Sequence, residues 1–183
     1  MGNNIEVLIS EERLAARVKE LGRQLSADYA GKDPLFVCVL KGACIFFADL
    51  IRAMTCSVQF DFIQAASYGN GTSSSGEVRI VKDTQASVVG RNVVLIEDIV
   101  DSGRTLARLS RLLYERGAKS VKICALLDKP SRRVEGGAEA EHVGFAIDDL
   151  FVVGYGLDFA ERHRELPYVG VLSPEEARGE ANE

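Results

Sequence analysis

Three short apolar runs, separated by polar and helical segments, constrain the fold of this chain most strongly. They are LFVCVL (Leu35–Leu40), NVVLI (92–96) and VKICALL (121–127). Each is apolar at nearly every position, which is typical of a strand buried on both faces of a sheet. Helical segments lie between them, as parallel strands require. The sequence therefore predicts an α/β fold with a mostly parallel central sheet flanked by helices.

Helical and alternating patterns account for much of the remaining chain. Helical spacing of apolar residues predicts a helix from Ser10 to about Asp28, and further helices are predicted at 43–54 and 104–116. Strands are expected at 58–62 and 78–82. No linker divides the chain, so residues 1–183 are predicted to form a single domain. Its acidic end, 174–183, is expected to be frayed.

Composition limits the classes of partner. The chain has 22 Lys and Arg against 27 Asp and Glu, a net charge of −5, which argues against general nucleic-acid binding. No run approaches the eighteen apolar residues of a membrane-spanning helix, and the first residues lack the pattern of a signal peptide. The four cysteines form no CxxC pair and are expected to be reduced. We therefore expect a cytoplasmic protein that binds neither nucleic acid nor membrane.

The segment SYGNGTSSSG at 67–76 contains only one large side chain, Tyr68. Such a composition predicts a flexible loop. Taken alone, it fits a plain hairpin linker or a mobile lid over a site equally well.

The segment VVLIEDIVDSGRT at 93–105 carries the strongest functional pattern. A predicted buried strand ends at Glu97 and Asp98, and a turn and a helix follow. Ligands in open α/β sheets bind beyond the carboxyl ends of the strands. Free backbone N–H groups at the helix start favour a phosphate, and carboxylates suit ribose hydroxyls or Mg²⁺. The predicted phosphate turn comprises Asp101, Ser102, Gly103, Arg104 and Thr105.

This segment resembles the 5-phosphoribosyl 1-pyrophosphate (PRPP) motif of the type I phosphoribosyltransferases. Three other segments match the family in order: LKG at 40–42 resembles its pyrophosphate loop, 67–76 its mobile catalytic loop, and LLDKPSRR at 126–133 the base-binding segment of its 6-oxopurine branch. FVVGYGLDFAERHRELPYVGVL at 151–172 closely resembles the C-terminal segment of hypoxanthine phosphoribosyltransferases, bacterial ones especially. The resemblance implies the type I phosphoribosyltransferase fold, with a small hood formed by the chain ends, and favours the lid.

The resemblance also implies an activity in purine salvage. Hypoxanthine, and guanine as well, would react with PRPP to give IMP or GMP plus pyrophosphate, with Mg²⁺ as cofactor, in a homodimer or homotetramer. A xanthine-preferring relative is one alternative. A regulator that keeps the PRPP motif but binds nucleic acid is another; the net charge and the lack of a spare DNA-binding segment argue against it.

Roles at the PRPP site follow from the resemblance. Lys41, Gly42 and Arg164 would bind the pyrophosphate group, and Ser67 and Tyr68 would be the loop pair that covers it. Residues 101–105 would hold the 5′-phosphate. Glu97 and Asp98 would bind the ribose hydroxyls directly or through Mg²⁺, and Asp158 would hold a second Mg²⁺ through water.

Roles at the base follow from the resemblance too. Asp101 would be the catalytic group that handles the proton on purine N7. Lys129 would donate a hydrogen bond to a 6-oxo group and repel a 6-amino group, which would select hypoxanthine or guanine over adenine. Phe151 would stack on the base, and Val152 would contact its edge through the backbone.

Overall fold

The computed structural model describes residues 5–67 and 78–173, which contain nine strands and three α-helices. The strands are β1 (Glu6–Ile9), β2 (Leu35–Leu40), β3 (Gln59–Ser67), β4 (Val78–Lys82), β5 (Asn92–Val100), β6 (Ser120–Asp128), β7 (His142–Ala146), β8 (Val152–Val153) and β9 (Val169–Val171). The helices are α1 (Glu11–Asp28), α2 (Cys44–Ala53) and α3 (Arg104–Glu115), and a 3-10 turn spans Pro130–Arg132. The four cysteines are free thiols, as expected.

The central sheet has six strands in the order β4-β3-β2-β5-β6-β7. All neighbouring pairs are parallel except β3 and β4, which pair antiparallel at one edge. From β2 the chain proceeds outward to β3 on one side, whereas β5, β6 and β7 follow on the other. The strand order therefore reverses between β2 and β5, and this reversal opens a crevice at their carboxyl ends.

Two apolar layers cover the sheet and explain why β2 is apolar throughout. Phe36 and Cys38 belong to the core cluster that includes side chains of α1 and α2. Val37 and Val39 belong to the opposite cluster with those of α3. All four are at most 5% exposed, so neither face of β2 meets solvent. The predicted parallel sheet covered by helices is confirmed.

The chain ends form the expected hood. Strand β1 pairs antiparallel with β9, which pairs antiparallel with β8, in a separate three-stranded sheet. Leu172 N–H donates to Phe151 O (3.0 Å) next to this sheet.

Two strands are longer than the sequence predicts. The prediction ended β5 at Ile96, but its pairing with β6 continues through Ile99–Leu127 and Val100–Asp128, so Glu97 and Asp98 lie within the strand. The two acidic residues were expected to end the strand, but pairing with β6 continues the strand past them. Strand β3 likewise extends to Ser67, the first residue of the predicted loop.

The rest of the predicted loop, including Tyr68, and the predicted tail lie outside the described residues. Among the helices that are described, none has the length and apolar character needed to cross a membrane.

Candidate active site

A cavity of about 310 Å³ lies at the carboxyl ends of β2 and β5, where the strand order reverses. Most of the predicted PRPP residues line it: Lys41, Gly42, Glu97, Asp98, Asp101, Ser102, Gly103, Thr105, Asp158 and Arg164. They come from three distant parts of the chain, so the crossover topology brings them together. A larger cavity of about 510 Å³, between β1 and the segment after β7, contains none of the predicted residues.

The floor of the cavity is a close contact between the turn after β2 and strand β5. A Cβ atom on Gly42 would overlap Oδ2 of Asp98, and one on Gly156 would overlap the carbonyl oxygen of Gly42. The Gly42 backbone therefore lies closer to the Asp98 side chain, and to the backbone at Gly156, than a larger residue at either glycine would allow. The peptide bond between Leu40 and Lys41 is cis.

Glu97 and Asp98 form an acidic pair at the end of β5. Burial raises the pKa of Glu97 well above its usual range, and the Asp98 carboxylate raises it further. Burial also raises the pKa of Asp98, although Ile99 N–H donates to its Oδ1 (2.7 Å) and the Arg164 charge opposes the rise. The Arg164 charge thus compensates the burial of the two carboxylates only in part, and their oxygens suit a hard divalent cation.

The predicted phosphate turn leads directly into α3. Gly103 has φ +77° and precedes the first helical residue, Arg104. A Cβ atom on Gly103 would lie 2.5 Å from Ala138 O, so only glycine fits this turn. Ser102 Oγ accepts from Arg104 N–H (3.4 Å). The backbone N–H groups that follow belong to the first turn of the helix and have no carbonyl acceptor within it. They therefore favour binding of an anion.

Four charged side chains form a cluster on the opposite wall. Glu161 Oε2 accepts from Lys41 Nζ (2.9 Å) and from Arg164 Nη2 (3.3 Å). Arg164 Nη2 also lies 2.8 Å from Asp158 Oδ1, and its Nη1 donates to Gly156 O (2.7 Å). The hydrogen bonds from Lys41 and then Arg164 lower the pKa of Glu161. Glu161 therefore pairs with both cationic side chains that are predicted to bind pyrophosphate, and Asp158 is a second anionic partner of Arg164.

The residues expected at the base lie beside the cavity, beyond the ends of β5 and β6. Lys129 is only 8% exposed, and its Nζ donates to Asp149 Oδ1 (3.4 Å). Its backbone N–H donates to Val100 O (2.9 Å), which fixes it next to the end of β5. Asp101 Oδ1 accepts from Arg132 Nε (3.0 Å). Polar groups from both strand ends thus converge here.

The predicted apolar base contacts differ in burial. Phe151 is 47% exposed and meets Phe159 edge to face with 5.3 Å between ring centroids, whereas Val152 is buried in β8. Phe151 thus has a ring available to solvent, as a stacking platform needs. The Arg104 side chain is exposed and, like Lys129, Phe151 and Val152, does not line the cavity.

Sequence reasoning missed Glu161, Arg132 and Asp149. The adjacent arginines of the segment 126–133 are visible in the sequence, but nothing there indicates that one of them reaches Asp101. Glu161 lies 120 residues from Lys41, so no local pattern could have indicated their contact.

Similarity to known proteins agrees with this geometry. The family model of the phosphoribosyl transferase domain matches residues 7–160. The chain is 54% identical over 175 residues to the hypoxanthine-guanine phosphoribosyltransferase of Bacillus subtilis, covering 95% of this chain and 97% of that protein. A crystal structure of a hypoxanthine phosphoribosyltransferase from Staphylococcus aureus superposes with a TM-score of 0.90, at 46% identity and 94% coverage of both chains.

The chain also matches a longer protein. It is 56% identical over 176 residues to the bifunctional protein TilS/HprT of Listeria innocua, which covers 96% of this chain. It spans only 27% of the length of that relative. The chain belongs to the phosphoribosyl transferase domain family, as shown by the family model, by a relative matched over nearly its whole length and by the fold.

Proposed function

We propose that this chain is a purine-salvage transferase that converts hypoxanthine or guanine and PRPP to IMP or GMP and pyrophosphate. The convergence of a phosphate turn, an acidic pair and two cationic side chains on one cavity carries this proposal. Its relative in Bacillus subtilis is named for the same activity.

The reaction replaces one bond at C1′ of the ribose by another. N9 of the base attacks C1′ while the bond from C1′ to the pyrophosphate oxygen breaks, and its electron pair leaves with pyrophosphate. The proton on N7 of the base passes to Asp101. The site must therefore stabilise negative charge on the leaving group and hold the base in line.

Each wall of the cavity would perform one of these tasks. The backbone N–H groups of residues 102–105, with the hydroxyls of Ser102 and Thr105, would hold the 5′-phosphate at the start of α3. Lys41, Gly42 and Arg164 would bind the pyrophosphate group, which then replaces the Glu161 carboxylate as their anionic partner. The closed contact around Gly42 would keep water from the leaving group.

Mg²⁺ fits the residues present. Burial raises the pKa of both Glu97 and Asp98, which a bound cation would counteract, and Asp158 lines the same cavity. Bound there, the ion would neutralise negative charge on the pyrophosphate oxygens. Within residues 5–67 and 78–173, no three His, Cys, Asp or Glu side chains surround one point, so substrate and water would supply the other ligands.

At the other end of the site, Lys129 would donate to the 6-oxo group and Phe151 would stack on the ring, with Val152 at the edge of the base. Ser67, at the end of β3, and the next residue, Tyr68, would be the pair that covers the bound pyrophosphate. We also propose that the protein is cytoplasmic and that it forms a homodimer or homotetramer.

The test is formation of nucleotide from PRPP and Mg²⁺ with hypoxanthine, guanine, xanthine and adenine in competition. We expect IMP and GMP, little nucleotide from xanthine and almost none from adenine. A predominant xanthine product would move the chain to the xanthine-preferring alternative. No nucleotide from any base would refute the enzymatic function.

A further inference from the structure

Two charged side chains, Arg132 and Asp149, connect the two groups that would contact the purine base, Asp101 and Lys129. Asp101 Oδ1 accepts from Arg132 Nε (3.0 Å), Arg132 Nη1 lies 3.6 Å from Asp149 Oδ2, and Asp149 Oδ1 accepts from Lys129 Nζ (3.4 Å). We call this series, from Asp101 through Arg132 and Asp149 to Lys129, the arginine bridge. It links the residue that follows β5, Asp101, to the residue that follows β6, Lys129.

The backbone around Arg132 is fixed by its neighbour. Arg133 Nη1 donates to Asp101 O (2.5 Å), and its Nη2 bonds to Asp128 Oδ1. Val134 N–H donates to Ser102 O (3.3 Å), which joins the segment after the 3-10 turn to the phosphate turn. Arg132 therefore projects from a segment that is already held against β5, and its planar guanidinium meets two carboxylates along different edges.

The chemistry of the base explains why such a bridge would matter. In a 6-oxopurine, N7 and the 6-oxo oxygen lie next to each other on one edge of the ring. Asp101 and Lys129 would contact these two atoms, so their separation must match that edge. Both side chains are flexible. The contacts of Asp101 with Arg132 and of Lys129 with Asp149 restrict the positions that the two side chains can take.

We propose that Arg132 is a positioning residue that holds Asp101 and, through Asp149, Lys129 against the N7 and O6 edge of a 6-oxopurine. This inference rests on the proposed function. Arg132 would not contact the reacting atoms itself. Because its side chain is 52% exposed, its ion pairs contribute little to folding, and its effect should appear in turnover of the base rather than in stability.

The test compares Arg132→Gln with Arg111→Gln. Both variants remove one arginine and one exposed ion pair, since Arg111 Nε bonds only to Glu115 on α3 among its described contacts (2.8 Å). We expect kcat/KM for hypoxanthine to fall about five- to tenfold in Arg132→Gln and to stay unchanged in Arg111→Gln. The Kd of PRPP and the melting temperature should be the same in both variants.

A base analogue separates positioning at N7 from a general loss. In 7-deazahypoxanthine, carbon replaces N7 while the 6-oxo group is kept, so Asp101 has nothing to bond. Arg132→Gln should therefore weaken inhibition by this analogue much less than it weakens use of hypoxanthine. Arg132→Lys, which can reach one carboxylate but cannot bridge two, should recover part of the lost kcat/KM.

A second variant tests the bridge itself. Asp149→Asn interrupts the same series, so the double variant with Arg132→Gln should lose less than the product of the two single losses. Equal kcat/KM in Arg132→Gln and Arg111→Gln would overturn the proposal. So would an equal fold-loss in kcat/KM for hypoxanthine and in inhibition by its 7-deaza analogue. A double variant whose loss equals the product of the two single losses would overturn it as well. A wild-type protein that makes no IMP or GMP would instead refute the proposed function, and this inference with it.

Discussion

Gly42 and Asp98 are in contact so close that no side chain fits between them: a Cβ atom on Gly42 would overlap the Oδ2 atom of Asp98. The contact joins the turn after β2 to the acidic end of β5. It sets the distance between the proposed pyrophosphate and ribose ligands.

Gly42→Ala is expected to lower both activity and stability. The added methyl group must push Asp98 aside or move the backbone, which typically costs about 1–3 kcal/mol. Nucleotide formation should fall more than tenfold, because a displacement of about 1 Å at such a site can cost about 10²-fold. Thermal denaturation and a steady-state assay measure the two effects.

The Asp98→Ala background is the matched control for the Gly42 contact. There the alanine Cβ would face the Cβ of residue 98 at an ordinary 3.5 Å. Gly42→Ala should therefore cost no stability in that background. An equal loss of melting temperature in both backgrounds would show that the contact with Asp98 is not the cause.

Asp101→Asn should lower kcat by about 10²-fold, because an amide cannot accept the N7 proton. The Kd of PRPP should change by no more than a few-fold, since the phosphate turn is fixed by its backbone, including Ala138 N–H to Gly103 O (3.0 Å). Asp33→Asn, an exposed carboxyl 73% accessible at its side chain, is the control. An unchanged kcat would remove Asp101 from the acid–base role.

Lys129→Gln should weaken the use of hypoxanthine and relax the discrimination against adenine. The glutamine amide can donate to a 6-oxo group through its nitrogen or accept from a 6-amino group through its oxygen. The ratio of kcat/KM for the two bases measures the effect. Lys122→Gln, which removes an exposed lysine of the preceding strand β6, is the matched control. Selectivity retained in Lys129→Gln would place base recognition in other residues.

Glu161→Gln should raise the affinity for inorganic pyrophosphate about two- to fivefold. The Glu161 carboxylate accepts from both Lys41 and Arg164, and pyrophosphate must displace it to bind them. Exposed ion pairs of this kind are typically worth up to about 1 kcal/mol. Titration calorimetry with pyrophosphate and Mg²⁺ measures the change.

Glu165→Gln controls for the net charge in the Glu161 experiment, because Glu165 is exposed on the same segment. It should leave the Kd of pyrophosphate near that of the wild type. Weaker binding in Glu161→Gln would mean that Glu161 orients Lys41 and Arg164 instead of competing for them.

Asp61 should make stability depend on pH. Burial alone would raise the pKa of this carboxyl, but the N–H groups of Ala86, Phe62 and Gln85 donate to it at 2.6–2.7 Å and lower its pKa overall. A lowered pKa in the folded state contributes stability above the unfolded value of about 3.9, and this is lost as the pH falls through the folded value.

Asp61→Asn should therefore reduce the free energy of unfolding at pH 7 by about 1.5–3 kcal/mol. The difference from the wild type should begin to shrink below about pH 4, where the carboxyl of the unfolded wild-type chain takes up a proton, and should be lost as the pH falls through the lower pKa of the folded state. Urea denaturation between pH 7 and pH 3 measures it, with Asp33→Asn as the exposed control. A difference that does not change with pH would contradict an ionised Asp61.

Local patterns were sufficient to predict most of the elements. The run at Leu35–Leu40 is a buried parallel strand, and helix α3 begins at Arg104 directly after the glycine turn. Apolar periodicity and turn chemistry act over a few residues, so the sequence displays them directly. The end of β5 was misplaced because its length depends on pairing with β6, a distant segment.

The sequence by itself determined a parallel α/β sheet and a phosphate turn beside two acids, because both follow from residues close together in the chain. Only the tertiary structure decided which distant charges meet. The contact of Glu161 with Lys41 spans 120 residues, and that of Arg132 with Asp101 spans 31. Such contacts depend on the strand order and on the loops that cross its switch point, which no local pattern encodes.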